Sequence, residues 1–145
     1  AASVLTLAET GHLILTTGHA PSAPQAIERV IDMFPPAERH LAQVRLASLL
    51  VAVLTQTLVP RADGNGRIAA VEIMLANPPV RNLIREGKIY QLPNVIRTHH
   101  DIGMMTLDEA LVDLYLRQKI SGETMLSVCN DPQEVEKLIG RVSVR

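Results

Sequence analysis

The residues best placed to do chemistry lie in one passage, Thr10-Gly11-His12-Leu13-Ile14-Leu15-Thr16-Thr17-Gly18-His19-Ala20-Pro21-Ser22. Its apolar, β-branched run 12–17, bounded by glycines, predicts a buried central strand, and Ser22 opens a helix directly after it. Ligands of open α/β sheets sit beyond the carboxyl ends of strands, where a following helix offers unpaired N–H groups. His19 falls at such a place, where an imidazole can donate to a terminal phosphate. His12 falls at the other end of the run, and seven extended residues span more than about 20 Å, so a straight strand keeps the two rings off one atom. Spacing alone favours the plainer reading, in which His19 is a solvated loop histidine and His12 ends a helix.

Other polar clusters are weaker. His99-His100-Asp101 puts adjacent side chains about 100° apart on a helix, a poor geometry for one metal, and predicts a solvated helix end. Asp63-Gly64-Asn65-Gly66 lacks the remaining ligands and closing glutamate of a calcium loop and reads as a hairpin turn. The lone Cys129 sits among Met125, Leu126 and Val128, as a packed, inert thiol would. No G-x-x-x-x-G-K-[ST] occurs, so no loop and lysine are present to cradle the β- and γ-phosphates. No acidic residue closes a clear apolar strand to hold Mg²⁺. By itself the sequence is not a complete phosphoryl-transfer enzyme.

The elements that must position these residues are predicted by capping and periodicity. Ser22, Pro24 and Gln25 start a helix with the apolar face Ile27, Val30, Ile31 and Phe34, stopped by Pro35-Pro36. A second helix over 37–50 would turn Leu41, Val44, Ala47 and Leu50 inward. Strands over 55–61 and 67–75 flank a glycine-rich turn. Glu72, the only charge in the run 68–75, argues that one face of the second strand is partly exposed. From Asn77 onward every signal is helical: Asn77-Pro78 caps a helix ending at Gly87, and a further apolar pattern runs through Leu92, Val95 and Ile96 to Gly103. Thr106 with Glu109 forms a capping box, and Ser121 and Asp131 cap two more helices. The expected fold class is thus α/β, with residues 1–75 an incomplete α/β layer and residues 76–145 a bundle of about five short helices.

Composition bounds the function. Of 145 residues, 47% are hydrophobic and 20% charged, with a formal net charge of −1, which supplies no basic footprint for nucleic acid. A single cysteine fits a reducing compartment. No apolar stretch approaches the roughly 20 residues of a membrane span, so no direct membrane insertion is expected. The chain opens on Ala1, and residues 4–8 read as the last turns of a helix already under way. A fragment of a longer protein is the expected reading.

Five ordered blocks then carry a resemblance. Ala8-Glu9-Thr10-Gly11-His12-Leu13 with Gly18-His19 is similar to the histidine box of the type II/IV secretion ATPases. Ala26-Ile27-Glu28-Arg29-Val30-Ile31-Asp32-Met33-Phe34-Pro35-Pro36 resembles the helix that follows it. Gln56-Thr57-Leu58-Val59-Pro60-Arg61 and Gly66-Arg67-Ile68-Ala69-Ala70-Val71-Glu72-Ile73-Met74 resemble the next hairpin. Pro79-Val80-Arg81-Asn82-Leu83-Ile84-Arg85-Glu86-Gly87-Lys88 is similar to the helix motif of the pilus-retraction branch, and Gly103-Met104-Met105-Thr106-Leu107-Asp108-Glu109-Ala110-Leu111 to the segment after it.

The resemblance covers nearly the whole chain and implies the C-terminal part of a RecA-like P-loop NTPase core (residues 1–75) followed by a small helical domain (76–145). It implies a cytoplasmic homohexameric motor at the inner-membrane base of a type IV pilus, acting on a membrane platform protein. ATP and Mg²⁺ belong to the complete parent, and neither is expected for this chain alone. His19 would sense the γ-phosphate and His12 would share its box. Asn82, Leu83, Ile84, Arg85, Glu86 and Gly87 would serve retraction rather than nucleotide binding. The family's phosphate loop, acidic box, Walker B carboxylate and trans-acting arginines all precede the histidine box, so the first strand would lack sheet neighbours within this chain. One departure stands out: where the family usually reads Thr-Leu-His-Thr-Asn-Ser, this chain has Thr17-Gly18-His19-Ala20-Pro21-Ser22. The lost hydroxyl and amide imply altered sensing. The competing expectation is a freestanding oligomerisation or adaptor module that kept a ring-forming surface and lost catalysis.

Overall fold

Local capping chemistry explains where most helices begin. The computed structural model describes residues 2–143, so the outer ends of both expected segments, at residues 1, 144 and 145, lie outside the described residues. Among the described residues are eight α-helices, two short 3₁₀ turns and two strands. Helix α1 (Ala2–Glu9) precedes the histidine passage. Helix α2 (Ala23–Asp32) starts where Ser22 Oγ accepts from Gln25 N–H at 3.4 Å, with Pro24 in its first turn. Helix α3 spans Arg39–Leu49, β1 Ala52–Pro60 and β2 Arg67–Leu75. Asn77 Oδ1 accepts from Val80 N–H at 3.1 Å to open α4 (Pro78–Arg85), and α5 covers Leu92–Thr98. The capping box of α6 (Leu107–Leu116) is complete: Thr106 Oγ1 accepts from Glu109 N–H at 3.2 Å, and Glu109 Oε2 from Thr106 N–H at 2.8 Å. Ser121 and Asp131 likewise accept backbone N–H groups at the starts of α7 (Gly122–Val128) and α8 (Pro132–Ser143).

The strands form one two-stranded sheet joined through residues 61–66. Two compact units result: Ala1–Thr55 with Ile73–Met104, and Gln56–Glu72 with Met105–Arg145. The first has its own core, which includes Ile27, Leu46, Met74, Ile84, Leu92 and Ile96. The second is built round Val59, Ala70, Leu111, Ile120, Met125 and Val135. The bounds of these units differ from the expected division at residue 75. A run of strand signals marks where a hairpin lies, but not which core each of its ends joins.

Three sequence expectations are corrected. Residues 12–17 form no strand among the described residues, and Leu13 and Leu15 are 76% and 89% exposed. β-propensity needs a neighbouring strand to pair its N–H and C=O groups, and the only described sheet is β1 with β2. On α3, Ala47 is buried as expected, but Leu41 is 61% exposed, and Ala42 and Leu46 face inward in its place. Apolar residues stand nearly all round that helix, so its packing against α1, α2 and α4 selects the buried side. On β2 the face carrying Ala70, Glu72 and Met74 is the buried one, and Glu72 is 8% exposed rather than solvated. The two-residue period sets Glu72 beside two core residues.

Helix α6 ends in a Schellman turn in which Gln118 N–H donates to Tyr115 O and Lys119 N–H to Leu114 O, both at 2.9 Å. The turn places Gln118 at φ 59°, where a Cβ is disfavoured. Gln118→Gly is therefore expected to raise stability by on the order of 0.5–1 kcal/mol, relieving left-handed strain at some cost in unfolded-state entropy. A urea midpoint that rises with an unchanged slope is the expected observation. An unchanged or lower midpoint would show that residue 118 is not strained in solution.

Candidate functional site

The histidine passage leaves α1 through a built anchor. Arg45, from α3, grips the last residue of α1 in a fork: Nε donates to Glu9 Oε1 at 2.6 Å and Nη2 to Glu9 Oε2 at 2.9 Å. Nη2 also donates to Thr6 Oγ1 at 3.2 Å. The hydrogen bond from Arg45 holds the Glu9 carboxyl below its ordinary range, and the same bond raises Arg45. Gly11 then turns the chain at φ 90°, a conformation that suits glycine. Beyond it the His12 Nδ1 lies 2.9 Å from Thr10 Oγ1.

Residues 12–20 carry the chain to α2 without regular secondary structure. His19 is exposed, and its carbonyl accepts from Arg29 Nη1, about two helical turns beyond the Ser22 cap. The two histidines are thus held differently, His12 through its ring and His19 through its backbone. Among the described residues no group of three or more His, Cys, Asp or Glu side chains converges to hold a metal ion. The sequence contains no G-x-x-x-x-G-K-[ST] phosphate loop.

Helix α4 is the second candidate. Ile84 is fully buried and Leu83 half-buried, while Asn82, Arg85, Glu86 and Gly87 are exposed. Arg85 Nη1 donates to Asn82 Oδ1 at 2.9 Å within the helix. Its carbonyl accepts from Gln43 Nε2 of α3 at 3.0 Å. The helix closes in a Schellman turn, Gly87 N–H to Ile84 O at 3.1 Å and Lys88 N–H to Leu83 O at 2.9 Å, with Gly87 at φ 73°. Lys88 Nζ pairs with Glu86 at 2.7 Å, which lowers the Glu86 carboxyl and raises the Lys88 ammonium, so both stay charged at neutral pH.

Two working residues carry no sequence signal. Arg81 Nη1 donates to Ala47 O and Ser48 O, each at 2.8 Å, satisfying carbonyls at the end of α3. Asp108 is 6% exposed and accepts from Asn130 N–H at 2.7 Å and Asp131 N–H at 2.9 Å, pinning the junction of α7 and α8. Both contacts span more than 20 residues of chain, beyond any local pattern.

The remaining clusters are structural. Asp63 accepts from Asn65 N–H at 2.9 Å and pairs with Arg61, whose hydrogen bond is the main cause lowering its carboxyl; this is a tight turn. His99 caps α5 with Nδ1 2.7 Å from Val95 O. The Cys129 thiol donates to Leu126 O at 3.4 Å, and burial, then the charges of Asp108 and Asp131, push its pKa up, the reverse of an activated thiol.

The chain matches known proteins along most of its length. Residues 1–70 match the family model described as type II/IV secretion system protein. A twitching motility protein of Neisseria gonorrhoeae is 44% identical over 119 residues, covering 82% of this chain and 32% of that protein. The type IV pilus retraction ATPase PilT of Pseudomonas aeruginosa is 43% identical over 129 residues, covering 89% of this chain and 37% of its own length. The crystal structure of the pilus retraction motor PilT with bound ADP superposes with a TM-score of 0.79 at 32% identity, over 94% of this chain and 38% of that one. The chain belongs to the type II/IV secretion ATPase family. Within that family it is PilT-like, a mixed fold of helices and a small sheet, and it spans about a third of the length of the curated relatives it matches. No helix among the described residues is long and apolar enough to cross a membrane.

Proposed function

We propose that this chain is the part of a pilus-retraction motor ATPase that carries the nucleotide-sensing histidine segment and the force-coupling helices. The observation that carries this reading is that passage 10–22 and the Asn82–Gly87 turn belong to one compact unit, in a sequence matched along most of its length to retraction ATPases. In the complete protein, residues outside this chain supply the phosphate loop and the carboxylate that holds Mg²⁺. Copies assemble as a homohexamer on the cytoplasmic side of the inner membrane and work on a platform protein of the pilus. His19, exposed on a loop held by Arg29, reports the γ-phosphate, and His12 belongs to the same box.

The purified 145-residue chain is expected to show no ATP hydrolysis above background, because nothing in it cradles the phosphates. A phosphate-release assay checks this. Steady hydrolysis that His19→Ala abolishes would overturn the division of labour proposed here.

A further inference from the structure

The contacts of Thr10 constrain where the proton of His12 sits. Thr10 Oγ1 lies 2.7 Å from Leu7 O and 2.9 Å from His12 Nδ1. At these separations each contact needs a hydrogen between the two heavy atoms, since facing lone pairs would repel. A carbonyl oxygen only accepts, and a hydroxyl carries a single proton. If Thr10 gave that proton to the imidazole, the shorter contact with Leu7 O would hold none. One arrangement supplies both: the hydroxyl donates to Leu7 O, and His12 Nδ1–H donates to Thr10 Oγ1.

We infer that Thr10 is a positioning residue for His12, holding the neutral ring as its Nδ1–H tautomer and presenting Nε2 as a hydrogen-bond acceptor. The ring is solvent-exposed, so Nε2 is the atom left to meet a partner. The chemistry this selects is an N–H or O–H donor, not an anionic oxygen, and neutral His12 does not donate to a phosphate. His19 has its carbonyl engaged rather than its ring, so its imidazole carries no such constraint. The two histidines therefore do different work. Arg45 steadies the arrangement by gripping Glu9, the residue before Thr10. None of this depends on the motor reading, and either can fail without the other.

The test is a long-range ¹H–¹⁵N correlation spectrum of the ¹⁵N-histidine-labelled 145-residue chain at about pH 8, above the ordinary histidine pKa of about 6.5. His12 is expected to show a protonated Nδ1 and a bare Nε2. His99 provides an internal standard, because its Nδ1 faces the Val95 carbonyl at 2.7 Å and must also carry the proton. Thr10→Val removes the acceptor at nearly constant shape and is expected to abolish the Nδ1–H pattern of His12 while leaving His99 unchanged. Thr10→Ser is expected to keep both. A bare Nδ1 at His12 in the parent chain, or an Nδ1–H pattern that survives Thr10→Val, overturns the inference. Should Thr10→Val also disturb His99, the parent and Thr10→Ser spectra still decide it.

Discussion

Asp108→Ala is expected to lower the unfolding free energy of the second compact unit by about 2–3 kcal/mol, since two charge-assisted hydrogen bonds are lost from a buried carboxylate. The N–H groups of Asn130 and Asp131 belong to exposed residues and regain water, which keeps the loss below the sum of two fully buried bonds. Asp108→Asn retains an acceptor oxygen and should lose roughly half as much. Chemical denaturation followed by helical circular dichroism measures both. The order Ala below Asn below parent is the expected result; an Ala variant as stable as the parent would mean that the α7–α8 junction is held by apolar packing alone. Such a loss would reach Val135, the fully buried residue of α8, because the start of that helix is set by the pinned junction.

On the proposed motor reading, Arg85→Ala is the variant expected to separate hydrolysis from movement in the full-length protein. The side chain is exposed, and among the described residues its side-chain hydrogen bond, to Asn82, lies within its own helix. The bond from Gln43 reaches the Arg85 backbone and survives the substitution. Alanine is also the better helix former, so stability should change by less than about 0.5 kcal/mol. An arginine at the centre of a working interface contributes about 2 kcal/mol or more, close to 30-fold in coupling. Pilus retraction should therefore fall by at least that order while ATP turnover per protomer holds. Retraction tracked by microscopy beside a hydrolysis assay separates the two. Equal losses of both would put Arg85 in the catalytic machinery.

The legible parts of the fold are the local ones. Ser22, Asn77, Thr106 with Glu109, Ser121 and Asp131 each satisfy N–H groups two or three residues away, so the sequence pattern contains the whole interaction. The turn at Asp63 is legible for the same reason. The face of α3 is not, because Leu41 and Leu46 are equally apolar and only neighbouring helices distinguish them. Glu72 misleads because charge predicts exposure for an isolated residue, whereas strand geometry assigns it to the face of Ala70 and Met74. Run 12–17 misleads because a strand is a property of at least two segments.

Within the candidate site, His12, His19 and the turn 82–87 could be picked out as residues, and their kinship with retraction ATPases followed from ordered motifs. Neither source said how each is held. By itself the sequence determined the capped helix starts, the turn, the family and the lack of a phosphate loop, all of which are legible in short runs of residues. The tertiary structure decided that Arg45 braces the end of α1, that Arg81 closes α3, that Asp108 pins a distant junction and that Thr10 points His12 outward by its Nε2. The first three join residues tens of positions apart. The last depends on which of two side chains donates across the Thr10–His12 contact, which residue types alone leave open.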